Sequence, residues 1–245
     1  MTSGLLRAFF RLWAVQGSWN YERMTGVGLG FAAEPLLEDL KSADPTRHAE
    51  AAVRSAEYFN SHPYLAGVAL GALVRAEYDQ VPGAQIARLR SALTSPLGAL
   101  GDQFFWAGLA PATIAAAIVG VVAGKGVWAL LVALLLYNAV RIGTGIWALR
   151  TGLASGTRVG ATLGKSWLPR TVPLVGYLAA ALVGVALPLA VDWFLDRQSP
   201  NGHLLLIGTI PVVLVAVWIL GPRVTSARFG LAAIGFAALI AWGLS

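Results

Sequence analysis

An all-α, polytopic membrane protein is predicted by three features of this sequence. Hydrophobic residues make up 57% of it and charged residues only 12%, against about a quarter charged in soluble domains. A soluble fold of this size has too little polar surface to cover so much apolar matter. The charge is also divided. Residues 1–102 carry nine Lys/Arg and ten Asp/Glu, while residues 103–245 carry nine Lys/Arg and two acids, Asp192 and Asp196. The third feature is a series of nearly charge-free stretches after Asp102, which predicts about five transmembrane helices. Residues 1–102 are expected to form cytoplasmic or interfacial helices with a re-entrant or buried segment, and residues 103–245 the transmembrane region.

The first element expected is an amphipathic helix over residues 5–15, with Leu5, Leu6, Phe9, Leu12 and Trp13 at helical spacing and Arg7 and Arg11 apart from them. Such a helix suits the membrane interface, or equally the surface of its own domain. The two arginines break up the apolar residues, so a signal-peptide core is not expected there. Residues 34–60 are rich in charge and should be a solvated helical region, with Asp44 capping a helix that has Pro45 at its first position. The apolar run Tyr64–Val74 is too short to span. It fits a buried helix or a re-entrant segment packed in protein.

The expected spans are Phe104–Gly124, Gly126–Leu149, Thr171–Val191, His203–Pro222 and Phe229–Ser245. The segment 150–170 carries Arg150, Arg158, Lys165 and Arg170 with no acid, and so should lie on the cytoplasmic side. That orientation places the turn at Lys125 and the C-terminus outside and residues 1–102 inside. The high pI of 10.1 then reflects loop charge. Its basic residues lie between apolar spans and form no stripe, so no nucleic acid partner is expected.

Chemistry is sparse. The chain has no cysteine, which removes disulfides, thiolate metal sites and cysteine nucleophiles. His48, His62 and His203 show no ligand spacing, so no metal or cofactor is expected. No nucleotide-binding or hydrolase motif occurs, and no catalytic residue is assigned. Four polar clusters stand out as substrate or subunit contacts. Gln16–Met24 (QGSWNYERM) offers Gln16, Trp19, Asn20, Glu22 and Arg23, a mix of bidentate polar groups and aromatic faces suited to a sugar; a plain helix boundary is the other reading. Tyr58–Tyr64 (YFNSHPY) holds Asn60 and His62 at a break forced by Pro63, which marks a cavity or merely a helix end. Ser95–Trp106 reads as an irregular Gly/Pro loop with Asp102 at the entry of the first span, there as a cap or at the mouth of a pathway. Tyr137–Arg141 puts Asn138 and Arg141 on one face inside a span, with Arg141 either functional, with Asp102 as its counter-charge, or snorkelling to the headgroups.

QGSWNYERM, YFNSHPY, PLGALGDQFFW and LYNAVR, in this order, resemble the signature segments of the IID membrane subunit of mannose/fructose/sorbose-type phosphotransferase systems. The resemblance implies a multi-pass protein of the bacterial inner (cytoplasmic) membrane, importing a hexose in a phosphoenolpyruvate-dependent system. It implies a IIC membrane subunit as partner, IIA and IIB phosphocarriers at the cytoplasmic face, and a homo-oligomer within the larger complex. Phosphoryl transfer in such systems uses histidines of IIA and IIB, so this chain would be non-catalytic. It departs from the family pattern M-G-P-L-A-G-V-G-D-P, reading Thr94-Ser95-Pro96-Leu97-Gly98-Ala99-Leu100-Gly101-Asp102-Gln103. A non-transporting regulatory or scaffold protein derived from such a system is the alternative.

Overall fold

The computed structural model describes residues 4–195, and within them the protein is helical with no β-strand. Helix α1 (Leu5–Trp13) is followed by α2 (Gly26–Ala43), α3 (Pro45–Ser55) and α4 (Ala66–Tyr78). Helix α5 (Gly83–Gly101) runs without a break into a π-helical stretch, Asp102–Leu109, and then α6 (Ala110–Gly120). The chain reverses at Lys125, between Gly124 at φ +79° and Gly126 at φ +52°, where any other residue would be strained. Helix α7 (Val127–Ser155), the short α8 (Val159–Lys165) and α9 (Trp167–Leu195) complete the described chain.

Helix α4 is the centre of the N-terminal assembly. Every residue of it except Arg75 and Tyr78 is buried, so its side chains lose water on all faces and each large apolar one contributes roughly 1.5–3 kcal/mol. It packs on the C-terminal half of α7 through small residues. A Cβ added at Gly71 would lie 2.5 Å from the Leu153 amide nitrogen, and one at Gly152 would strike the Val68 carbonyl. Backbones can approach this closely only where the side chains are absent or very small.

Polar fastenings hold the other helices to α4. Glu77, 3% exposed, accepts from Nε and Nη2 of Arg54 at 2.8 and 3.0 Å and pairs with Arg47 at 3.0 Å. One carboxylate thus ties α3 to α4, and its hydrogen bonds hold the Arg54 pKa above its usual value. Arg47 also donates to the Val81 carbonyl at 2.7 Å, and the Tyr78 hydroxyl to the Leu36 carbonyl at 2.9 Å. The cap expected at Asp44 is present, accepting from the Arg47 amide at 3.0 Å with Pro45 at the first position.

Helix α1 packs on its own domain, one of its two expected placements. Ala8, Phe9 and Leu12 face inward, and Arg7 and Arg11 pair with Glu38 and Glu34 of α2. Its opposite face exposes Leu6, Phe10 and Trp13.

Two stretches are long and apolar enough to cross a bilayer, Gly83–Lys125 and Val127–Trp193, and only 33% and 11% of their apolar windows is buried in the chain. Hydrocarbon this exposed requires lipid or another membrane subunit. Three of the expected spans lie on these stretches. The other two, His203–Pro222 and Phe229–Ser245, lie outside the described residues. The change at residues 102 and 103 falls within the first stretch, where α geometry becomes π.

One expectation is corrected here. Ser95–Gln103 is helix, not an irregular loop. Ile86, Arg90, Leu93, Leu97 and Gly101 are all buried on one face of α5, and this packing outweighs the local bias of Pro96 and the glycines. Asp102 accordingly does not begin a helix and makes no capping bond.

Candidate functional site

The first two polar clusters are joined by backbone. Met24 adopts φ +51°, an unusual conformation for a side-chain-bearing residue, and exchanges hydrogen bonds with Asn20 at 2.8 and 3.3 Å. The Phe59 carbonyl accepts from both the amide and the hydroxyl of Thr25, at 2.9 and 2.8 Å, and the Phe59 amide donates to Arg23. The loops leading into α2 and α4 therefore form one unit around buried Phe59. The Asn20 side chain organises it, accepting from the amides of Glu22 and Arg23 at 3.1 and 2.8 Å and donating to the Ser18 carbonyl at 3.1 Å.

From this unit His62 projects into the π-helical stretch. Its ring stacks on Phe105, with centroids 5.0 Å apart and planes 13° apart, and contacts Trp106 at 4.8 Å and Tyr64 at 4.9 Å. A Cβ at Gly101 would collide with the His62 side chain, so glycine there is what lets the ring in. A π-turn inserts an extra residue and recurs at functional positions. Here it brings both Phe105 and Trp106 against one imidazole. Nδ1 accepts from the Tyr64 amide at 3.3 Å, which puts the proton of the neutral ring on Nε2. Nε2 is buried without a hydrogen-bond partner among the described residues. Burial lowers the His62 pKa to about 4, so the ring is uncharged at neutral pH.

Arg141 lies on the other side of Tyr64. Its guanidinium sits 4.6 Å from the Tyr64 ring centre and 5.6 Å from that of Trp13. With Gln16 and Pro63 these groups border a cavity of about 60 Å³. That volume holds a few waters but is well below the roughly 300 Å³ of small-molecule pockets. Tyr64 also meets Phe105 edge-on at 4.8 Å, and Phe105 faces Tyr137 at 6.4 Å. An aromatic wall thus runs from Trp13 through Tyr64 to Trp106, with one cation set into it. Aromatic faces and a forked donor are suited to polar, ring-shaped or anionic ligands.

Residues 2–193 match the family described as PTS system mannose/fructose/sorbose family IID component. The chain belongs to this IID family. The IID chain is 26% identical to the mannose-specific EIID component of Escherichia coli K12, covering 91% of this chain and 86% of that one. It is 24% identical to the fructose permease IID component of Bacillus subtilis 168, over 78% and 74%, and 26% identical to the sorbose-specific EIID component of Klebsiella pneumoniae, over 94% of each. Its fold is similar to that of a solved membrane protein, with TM-score 0.71, 23% identity and coverage of 98% and 97%. It is also similar to a chain of the cryo-EM structure of mannose transporter ManYZ with microcin E492, with TM-score 0.57, 24% identity and coverage of 100% and 97%.

The IID chain brings together residues from all four polar clusters, though not every residue singled out. Gln16 and Arg141 share the small cavity, and His62 lies behind its Tyr64 wall. Asn60 and Asp102 are exposed. Trp19, edge-on to Tyr21 at 4.8 Å, and Glu22 and Arg23 are exposed on the loop. Asn138 donates to the Leu134 carbonyl of its own helix at 2.9 Å. The expected Arg141–Asp102 pair is not formed: the guanidinium sits over two aromatic faces, and no carboxylate among the described residues lies within ion-pair distance of it. Trp13, Phe105, Trp106 and Tyr137 were not singled out as site residues. The run Phe104-Phe105-Trp106, just after Gly101-Asp102-Gln103, is the signal that points to Phe105 and Trp106.

Proposed function

We propose that this IID chain imports a hexose, together with a IIC membrane subunit, in a phosphoenolpyruvate-dependent phosphotransferase system of the bacterial inner membrane. The observation that carries the reading is the convergence of the four polar clusters on one aromatic wall bearing Arg141. The cavity at this wall is smaller than a sugar pocket, so the rest of the enclosure comes from IIC. This chain contributes no catalytic group, and IIA and IIB deliver the phosphoryl group at the cytoplasmic face, where residues 1–102 lie. It is multi-pass, and works as one of several copies within the larger complex.

Co-expression with the IIC encoded beside it tests the reading. The two chains should co-purify and bind a labelled hexose together, and neither should bind it alone. Tyr64→Ala and Trp106→Ala should weaken hexose binding while leaving co-purification intact. A stable complex whose hexose affinity is the same in both variants would leave the aromatic wall without a transport role.

A further inference from the structure

A groove of about 290 Å³ runs between α1 and α7, lined by Leu5, Leu6, Phe9, Ile146, Leu149 and Arg150. Five of these walls are hydrocarbon and the sixth is a cation. Arg150 is exposed and has no hydrogen bond or ion pair among the described residues. The neighbouring arginines of α1 differ, since Arg7 and Arg11 are taken up by Glu38 and Glu34. A cation with no partner among the described residues thus borders an otherwise apolar groove.

Its depth can be worked out. A spanning helix needs about 20 residues to cross the hydrocarbon, and counting from Val127 at the start of α7 reaches Trp147. Trp147 packs edge-on against Trp167 with centroids 5.1 Å apart, and tryptophans gather at the edge of the hydrocarbon. The outward stripe of α1 runs along α7 from that boundary inward, with Leu6 in the groove beside Arg150 and Trp13 against Arg141. Arg150 stands three residues further along α7, roughly 4.5 Å at helical rise. That is the level of lipid phosphates. Ile146 lies at the edge of the hydrocarbon and Leu149 just beyond it, so the groove straddles that edge.

We propose that this groove holds an acyl chain of an anionic phospholipid whose phosphate pairs with Arg150. The bound lipid fills the space between α1 and α7 and holds α1 against α7. The groove shares Phe9 with the cavity at the aromatic wall, but Arg150 borders only the groove, and the proposal depends only on the membrane character of the chain.

The full-length chain, purified in detergent, would be titrated with phosphatidylglycerol and with phosphatidylcholine of identical acyl chains, and retained lipid read by native mass spectrometry. Phosphatidylglycerol should be retained preferentially. Arg150→Gln should lower its affinity about fivefold, as expected for one basic residue at an anionic surface, and Arg150→Lys should keep most of it. Arg158→Gln, removing an exposed cation outside the groove, should leave the preference intact. Leu6→Trp, which fills the groove, should weaken both lipids. Equal binding of the two lipids by the unaltered chain would overturn the proposal, as would an Arg158→Gln loss matching that of Arg150→Gln. So would unchanged retention in Leu6→Trp, which would point to a protein segment as occupant, or displacement of the lipid by equimolar glycerol phosphate.

Discussion

Replacing Arg141 distinguishes sharply between an aromatic seat and an ion pair. A cation over an aromatic face contributes about 0.5–1 kcal/mol when exposed and about 2 when desolvated. Arg141 is half-buried and lies over two faces, 4.6 and 5.6 Å away. Arg141→Gln should therefore cost roughly 1–3 kcal/mol, and Arg141→Lys less, because an ammonium still finds the rings. The assay is reversible unfolding in mixed micelles, followed by tryptophan fluorescence, as a double-mutant cycle. Arg141→Gln with Tyr64→Leu should show a coupling of about 1 kcal/mol, since Tyr64 is the nearer ring. Arg141→Gln with Asp102→Asn should be additive to within about 0.5 kcal/mol. Coupling to Asp102 above that bound, with none to Tyr64, would refute the aromatic seat and restore the ion pair.

Other perturbations follow from the same geometry. His62 has a folded-state pKa of about 4, below its ordinary 6.5, so the unfolded chain takes up the proton first as pH falls. Stability should be full above pH 6.5 and decline toward pH 4 by up to about 1.4 kcal/mol per unit; urea titrations should show His62→Phe without this component. Glu77→Ala strands Arg47 and Arg54, each under a fifth exposed, and should cost about 3 kcal/mol. Arg75→Ala, breaking an exposed i,i+4 pair with Asp79, should cost far less, since solvent screens that pair; equal losses in the two would contradict the central place given to Glu77. In the cysteine-free chain, an impermeant thiol reagent applied from outside should label Lys125→Cys and not Ser155→Cys, and the reverse pattern would invert the orientation.

Several features were legible because they depend on neighbours in sequence. The Asp44–Pro45 helix start, the glycine-flanked reversal at Lys125 and the apolar lengths of α7 and α9 are of this kind. The joining of the polar clusters was not, because it is made by Thr25 bonding to Phe59 and by His62 entering at Gly101, contacts between distant segments. Ser95–Gln103 was misread through its proline and glycines, although Ile86, Arg90, Leu93 and Leu97 keep helical spacing straight through Pro96. Periodicity was the better guide there, since burial of that face outweighs local propensity. Arg141 was recognised as costly at membrane depth, but a carboxylate was expected beside it. The rings of Trp13 and Tyr64 do the same work without a second buried charge. Asn20, singled out as a sugar contact, spends its side-chain hydrogen bonds on its own loop.

The central claim is that this chain is the IID partner in phosphotransferase-driven hexose uptake. Its most direct test is phosphoenolpyruvate-dependent accumulation of labelled hexose phosphate in cells carrying the IIA, IIB and IIC genes, with and without this chain. The account predicts accumulation only when the chain is present, and its loss in Tyr64→Ala despite normal assembly with IIC. Undiminished accumulation in cells that lack the chain would contradict it.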